Sequence, residues 1–123
     1  MTTKKLLGSL VCASLFAVST LAVAAEPAKM EGGVLVGSNG MTLYTFDKDA
    51  AGKSLCTEKC AENWPPLLAQ DSDKGSGDYS IILRDIGKKQ WAYKGKPLYF
   101  FSKDQKRGDK TGDGINNVWH VAK

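Results

Sequence analysis

Two cysteines four positions apart, Cys56 and Cys60, have the most distinctive chemistry in this sequence. In an oxidising compartment such a pair forms a disulfide in the simplest case. One helical turn would place their Cα atoms about 6 Å apart, a separation that a disulfide tolerates. The reduced pair could instead be redox-active, or bind copper or zinc with Met41 or His120. Haem attachment is excluded, because Ala61 follows Cys60 where a histidine would be needed.

A second candidate site is the acidic segment 109–114, which is similar to a calcium-binding loop. Oxygen-bearing side chains alternate along it, and a glycine follows Asp113. However, position 12 of such a loop would be His120 instead of a bidentate glutamate, and Lys110 adds a positive charge. We therefore expect a structural turn, and we keep Asp109 and Asp113 as candidate ligands of a weak cation site.

Enzymatic chemistry has little support in the sequence. A nucleophilic triad is not visible, because the chain has one histidine and no Gly-x-Ser-x-Gly motif. No phosphate-binding glycine loop precedes a helix. Asp49 and Asp104 are poor candidates for paired catalytic carboxylates, because nothing in the sequence places them close together. The expectation is a non-enzymatic protein without a cofactor.

The clearest pattern in the chain is a duplicated unit. The segment 43–49 returns as 98–104, with each residue 55 positions further on. Both copies contain Tyr-x-aromatic-x-x-Asp, and the residues that carry the motif are Tyr44, Phe46, Asp49, Tyr99, Phe101 and Asp104. The offset extends from Gly40 and Gly95 to Trp64 and Trp119. Each aspartate follows a strand, where its carboxylate can accept hydrogen bonds from the amides of the next loop.

Short strands and turns must position these residues. Alternating and β-branched residues predict strands at 34–36, 41–46, 79–84, 89–93, 97–101 and 118–121. Asn39-Gly40 is a strong turn signal, so each copy contains a β-hairpin. A short helix over 56–63 would carry the cysteines, with Ser54 as its cap and Pro65 after its end. The predicted fold is mainly β, with two pseudo-symmetric hairpin repeats in one small domain.

The aromatic side chains allow two interpretations. Rings bury large areas, which a short chain needs, so a packed core between the two repeats is the simpler one. Alternatively, Trp64, Trp91 and Trp119 could form an exposed surface that binds a glycan, a peptide or a planar ligand. A contiguous exposed apolar patch would favour that alternative.

The N-terminal segment predicts export. Lys4 and Lys5 precede an apolar run, and small residues around Ala24 and Ala25 form a cleavage site. Cys12 lies within the apolar run, which argues against a lipid anchor. Loss of the two lysines lowers the net charge from +4 to +2, which is too small to indicate nucleic-acid or membrane binding. We expect a periplasmic or secreted protein without a stable membrane anchor, and an unidentified ligand or envelope protein as its partner.

These signals divide the chain into three parts. We expect a signal peptide over 1–24, a flexible leader over 25–33 and one domain over 34–123. Within that domain, repeat 1 covers 34–66, a connector covers 67–88 and repeat 2 covers 89–123. The remaining length suffices for one small core.

The motif set resembles a bacterial family of small secreted proteins and predicted lipoproteins. The resemblance covers residues 34–122 and includes Cys-Thr-x-x-Cys-Ala-x-x-Trp-Pro-Pro and Gly-Lys-Pro-Leu-Tyr beside the Tyr-x-aromatic-x-x-Asp repeats. It implies export, duplication and the domain's extent, but no activity. We interpret the chain as a binding or interaction module. The alternative is a periplasmic copper-binding or thiol-redox accessory protein that uses Cys56 and Cys60.

Overall fold

The computed structural model describes residues 26–123, apart from the side chain of Ile86. The predicted signal peptide, with Cys12 and the cleavage site near Ala24 and Ala25, lies outside these residues. Eight short strands and one α-helix follow in chain order: β1 (Ala28–Glu31), β2 (Val34–Gly37), β3 (Tyr44–Phe46), α1 (Lys59–Asn63), β4 (Leu68–Ala69), β5 (Tyr79–Leu83), β6 (Lys89–Tyr93), β7 (Lys96–Pro97) and β8 (Trp119–Val121). Two 3-10 helices cover Asp85–Gly87 and Ile115–Asn117. None of the helices within 26–123 is long and apolar enough to cross a membrane.

The strands form three small antiparallel sheets, which confirms the mainly β prediction. One sheet pairs β1 with β2, the second pairs β3 with β8, and the third has the order β4-β6-β5 with β7 also paired to β6. The β3–β8 pair joins the first copy of the duplicated unit to the end of the second, with Thr45 opposite His120. The duplicated halves are therefore interleaved, and they do not lie side by side as separate sheets.

The expected flexible leader over 25–33 is wrong where the structure describes it. Residues Ala28–Glu31 form β1, which pairs with β2 from Ala28 opposite Gly37 to Glu31 opposite Val34. Gly32 and Gly33 join the strands with φ values of 59° and 87°, which two-residue hairpin turns require and glycine adopts without strain. Ala28 is buried against the core, so this strand is held by packing as well as by its ladder.

Both predicted hairpins are present. In the first, the Leu43 amide donates to the Leu35 carbonyl at 2.9 Å. In the second, the Leu98 amide donates to the Trp91 carbonyl at 3.0 Å. The second hairpin turns through Lys94 and Gly95, both at positive φ, as its two-residue turn needs.

A pseudo-twofold axis passes between Tyr44 and Tyr99. These two residues are equivalent in the repeat, and each donates its amide to the carbonyl of the other, at 2.8 and 3.0 Å. A second pair of backbone hydrogen bonds is also related by this axis. The Ala122 amide donates to the Leu43 carbonyl at 2.8 Å, and the Leu67 amide donates to the Leu98 carbonyl at 3.0 Å. Pro66 pairs with Tyr99 as Val121 pairs with Tyr44. The predicted internal symmetry is thereby confirmed in the backbone.

The helix is shorter than expected and begins differently. It covers Lys59–Asn63, and Glu58 precedes it with a φ of 55° and no side-chain cap. Ser54 does not cap it, because the Ser54 hydroxyl is bonded to Tyr99 and Arg84 instead. Cys56 and Cys60 form the predicted disulfide, with their Cα atoms 5.1 Å apart.

The core has two parts. The axis residues Tyr44 and Tyr99 belong to the first, and their neighbours Leu43 and Leu98 belong to the second. The first contains the motif aromatics and the disulfide: Val34, Val36, Tyr44, Cys56, Trp64, Tyr99, Phe101, Trp119 and Val121. The second contains the inner residues of the hairpins: Ala28, Leu35, Leu43, Tyr79, Trp91, Leu98 and Ala122. The expected connector over 67–88 is more than a linker, because β4 and β5 lie within it and pair with β6.

Candidate functional site

The two motif tyrosines bind the aspartates of the opposite repeats. The Tyr44 hydroxyl donates to Oδ2 of Asp104 at 2.7 Å, and the Tyr99 hydroxyl donates to Oδ2 of Asp49 at 2.6 Å. The other oxygen of each carboxylate accepts a loop amide, from Leu55 at 2.7 Å and from Thr111 at 3.0 Å. Each aspartate therefore fixes its own loop and also joins that loop to the other repeat. Sequence spacing indicated the loop contact but not the tyrosine partner.

Four rings stack between the repeats in the order Phe46, Trp119, Trp64, Phe101. The two indoles are parallel within 1° with centroids 3.8 Å apart, and each phenylalanine stacks on the indole of the other repeat at 4.2 Å. Tyr44 and Tyr99 contact this stack edge-on at 5.3 and 5.2 Å. The ring geometry is symmetric, so the stack is the centre of the first core cluster.

The three tryptophans proposed as ligand-binding surface are buried. Trp64, Trp91 and Trp119 are 5, 7 and 3% exposed. Their indoles pack against other core residues, so they do not form an exposed aromatic platform in this structure. The burial fits the core interpretation of these rings.

A polar network surrounds Tyr99 and has no counterpart of the same composition around Tyr44. The Arg84 guanidinium donates to Ser54 at 2.9 Å, to Gln90 at 2.7 Å and to the Cys56 carbonyl at 2.7 Å. The Ser54 hydroxyl lies 2.5 Å from the Tyr99 hydroxyl. Among residues 26–123 no buried side-chain nitrogen or oxygen lacks a partner, so this network is satisfied and rigid.

These hydroxyls are poorly suited to acid–base catalysis near neutral pH. Burial, and then the hydrogen bond to Asp104, raises the pKa of the Tyr44 phenol far above its usual range. Burial, and then the bond to Asp49, does the same to the pKa of Tyr99. Burial also raises the pKa of Asp49, against the hydrogen bonds from Tyr99 and Leu55. A phenol that keeps its proton at neutral pH cannot accept one from a substrate.

The raised tyrosine pKa values predict alkaline destabilisation. Unfolded tyrosine ionises near pH 10, whereas Tyr44 and Tyr99 keep their protons to higher pH in the folded state. The unfolded state thus binds fewer protons above pH 10, and the free energy of unfolding falls by about 1.4 kcal/mol per pH unit for each tyrosine. The free energy of unfolding, measured with urea at several pH values between 9 and 11, should fall less steeply with pH in Tyr99→Phe than in the parent. Equal slopes in the two proteins would contradict the prediction, because lysine titration is common to both.

The cysteines and the acidic segment serve structure in the described residues. The Cys56 and Cys60 sulfurs are bonded to each other, so neither is a thiolate ligand in this state. Asp109 accepts the amides of Gln105 and Lys106 at 2.8 and 3.1 Å, and Asp113 accepts the Val121 amide at 3.1 Å. Within 26–123 no group of three or more His, Cys, Asp and Glu residues could hold a metal ion.

Two adjoining cavities form an open groove on one side of the pseudo-twofold axis. They measure about 300 and about 260 Å³, and both are lined by Thr45, Asp47, Lys94 and Lys96. We call them together the lysine groove. Phe46, Asp49, Ala50, Ala51, Gly95 and Pro97 complete the first cavity; Tyr93, His120, Val121, Ala122 and Lys123 complete the second. Strand β3 of one repeat and the β6–β7 turn of the other thus form its walls.

The corresponding surface on the other side of the axis is covered by the chain itself. Phe100, the equivalent of Thr45, places its ring 3.0 Å from where a Cβ on Gly37 would lie. The Arg107 guanidinium lies over Gly40, so closely that a Cβ there would collide with it, and bonds Glu31 at 3.4 Å. In the open half, Thr45 replaces the phenylalanine. Tyr93 replaces the glycine, because it faces Lys96 as Gly37 faces Met41; the first hairpin turn is one residue longer, so the offset before the turn is 56. The groove therefore exists because the two halves have diverged at these positions.

The lysine groove is lined by three lysines, Lys94, Lys96 and Lys123, and by two aspartates, Asp47 and Asp49. Oδ2 of Asp47 accepts a hydrogen bond from Nε2 of His120 at 2.8 Å, and Asp49 accepts hydrogen bonds from the Tyr99 hydroxyl and the Leu55 amide. Among the described residues Lys94 and Lys96 form no ion pair. The Lys94 ammonium lies 5.3 Å from the centre of the Tyr93 ring. Sequence reasoning missed this site; the signal was the mismatch of Thr45 with Phe100 within an otherwise regular repeat.

The fold and these contacts define a small two-repeat β domain whose halves exchange their motif tyrosines. A family model described as a secreted repeat of unknown function matches residues 28–68 and 80–123, so the chain belongs to this family. The resemblance indicated by the tyrosine and aspartate motif is confirmed. The matched ranges begin earlier than the repeat limits of 34 and 89 expected from the sequence, and they include β1 and most of β5. Searches of the curated proteins and of the solved structures find no significant match.

Proposed function

We propose that this chain is a non-enzymatic binding module that acts after export, in the periplasm or outside the cell, and that the lysine groove is its binding site. The observation that carries this proposal is the broken symmetry of the domain. The same surface is covered by Phe100 and Arg107 in one half and is open in the other. Core contacts, by contrast, are nearly identical in the two halves.

The groove has the size and the rigid walls of a small-ligand site. Its two cavities, of about 300 and about 260 Å³, are at the lower end of the range for small-molecule sites. Its walls are strand β3 and the β6–β7 turn, which are fixed by backbone ladders on both repeats. A non-enzymatic role is supported by the raised pKa values of the motif tyrosines and by the full use of Asp49 in internal hydrogen bonds.

The test is nuclear magnetic resonance mapping of small ligands on isotope-labelled protein purified after export. A mixed set of acidic, neutral and basic fragments should shift the amides of Thr45, Asp47, Lys94 and Lys96. Thr45→Phe should abolish these shifts, because it introduces the ring that covers the other half. If Tyr93 obstructs that ring, the double variant Thr45→Phe/Tyr93→Gly reproduces the pair formed by Phe100 and Gly37.

Two results would contradict the proposal. One is that no fragment shifts the groove amides, and the other is that fragments shift the Phe100 half to the same extent. Recovery of chemically altered fragments after incubation would contradict the non-enzymatic part. Leu83→Ala is a suitable control variant, because Leu83 is 71% exposed and is not part of either groove cavity.

A further inference from the structure

We infer that the lysine groove selects small organic anions, with a carboxylate or phosphate group held between Lys94 and Lys96 and a neutral or apolar group in the first cavity. This inference rests on the proposed function and names its ligand class. It starts from Lys94 and Lys96, the two positively charged residues among the four that both cavities share; the other two are Thr45 and Asp47.

Both aspartates of the groove already have hydrogen-bond partners within the protein. Asp47 is paired with His120 at 2.8 Å, and Asp49 accepts the Tyr99 hydroxyl and the Leu55 amide. The two lysines have no carboxylate partner among residues 26–123. Ammonium groups on flexible stems are point charges, which suits single anionic groups of either kind. A ligand anion would therefore form the direct ion pair that Lys94 and Lys96 lack within residues 26–123.

The first cavity gives the ligand its second feature. Besides the lysines, it is lined by Phe46, Ala50, Ala51 and Pro97, which offer carbon surface and no charge. Asp49 on its edge disfavours a second anionic group in that direction. The ligand should thus be asymmetric, with an anionic head at the lysines and an uncharged tail toward Pro97.

The second cavity differs because its lining adds His120 and Lys123 and lacks Asp49. His120 and Asp47 face it together with Tyr93 and Lys123. An anionic head that extends in this direction would meet Lys123, whereas a cationic head would meet Lys94 and Lys96 first. Both cavities thus favour a negatively charged ligand group at Lys94 and Lys96, where they join.

The experiment compares probes that share one ring and differ in the charge of the head: benzoate, phenyl phosphate, benzyl alcohol and benzylamine. We expect calorimetry at low salt to show benzoate or phenyl phosphate binding at least tenfold more tightly than benzyl alcohol and benzylamine. The ratio between the two anions distinguishes a carboxylate source from a phosphate source. Acetate, which lacks the ring, should bind more weakly than benzoate if the first cavity holds the tail.

Two matched double variants each remove two lysine charges, one pair inside the groove and one pair outside it. Lys94→Gln/Lys96→Gln should weaken binding of the anionic probes about tenfold or more, and added salt should have less effect on it. Lys103→Gln/Lys106→Gln removes two exposed lysines from the other half and should leave binding unchanged. All four variant positions are exposed, so an intact fold is expected.

The outcomes separate this inference from the proposed function. If all four probes bind the groove with similar affinity, or if benzylamine binds best, the groove is a binding site but the selection of anions is refuted. If both lysine pairs weaken binding to the same extent, the anion is attracted by the general charge of the protein, and the inference is likewise refuted. If no probe shifts the groove amides, the inference and the proposed site both fail.

Discussion

Trp64→Ala is expected to lower the free energy of unfolding by about 3–5 kcal/mol, which is much of the total stability of a small domain. Trp64 stacks on Trp119 at 3.8 Å and on Phe101 at 4.2 Å, and Tyr44 meets its edge at 5.3 Å. Removing the indole leaves a cavity between rings that belong to both repeats. The surrounding rings are held by two backbone ladders, so they cannot close the space. Urea unfolding followed by circular dichroism measures the loss.

The comparison variants separate ring stacking from general damage. Trp64→Phe keeps an aromatic ring in the stack and should lose clearly less stability than Trp64→Ala. Because Trp64 and Trp119 contact each other, the double alanine variant should cost less than the two single variants together. Leu83→Ala, at a side chain that is 71% exposed, should stay within about 0.5 kcal/mol of the parent. A Trp64→Ala protein as stable as the Leu83→Ala protein would show that the stack contributes little.

Tyr44→Phe is expected to cost about 1.5–3 kcal/mol, the range for a hydrogen bond to a charged partner. The variant removes the donor to Asp104 at 2.7 Å and also the acceptor of the Gly112 amide at 3.2 Å. Asp104 is 8% exposed, so water cannot readily replace the lost bond. Asp104→Ala should be at least as harmful, because it leaves the Tyr44 hydroxyl and the Thr111 amide without their acceptor.

A pair of double-mutant cycles tests whether the tyrosines bind across the repeats. The cycle of Tyr44→Phe with Asp104→Asn should give a coupling energy of about 0.5–3 kcal/mol, because these residues are in contact. The cycle of Tyr44→Phe with Asp49→Asn, the aspartate of the same motif copy, should be additive within about 0.5 kcal/mol. The reverse pattern would mean that each motif is self-contained, and it would overturn the exchange seen in the structure.

Local patterns predicted most of the strands because β-branched and aromatic residues are concentrated in them, although burial does not alternate along Lys89–Tyr93 or Val34–Gly37. Lys89–Tyr93 is a strand with the limits expected, and the buried Trp91 is on the core side. The strand at the N-terminus was missed because Ala28–Glu31 has only one buried residue and two charges. The helix begins later than predicted because Glu58 before it has a φ of 55°, and the hydroxyl of Ser54, its predicted cap, is bonded to Tyr99 and Arg84.

The site was less accessible to sequence reasoning than the fold. The repeat places Asp49 just after a strand, and this position predicts hydrogen bonds from loop amides but names no partner for the Tyr44 hydroxyl. The phenol in fact reaches Asp104, since the twofold relation brings the loop of the other copy over it. The lysine groove depends on what Phe100 and Arg107 cover, and such coverage is a property of packing between distant segments. A repeated sequence pattern carries no information on which distant segments cover a given surface.

The exchanged tyrosine and aspartate pairs bear on how such a protein could have arisen. One copy of the unit alone has a phenol without its carboxylate and an indole without its stacking partner, so it cannot close its own core. Two identical chains related by a true twofold axis would satisfy both needs. An ancestor with a single unit would therefore have been an obligate homodimer, and fusion of two genes would then have freed one face to diverge.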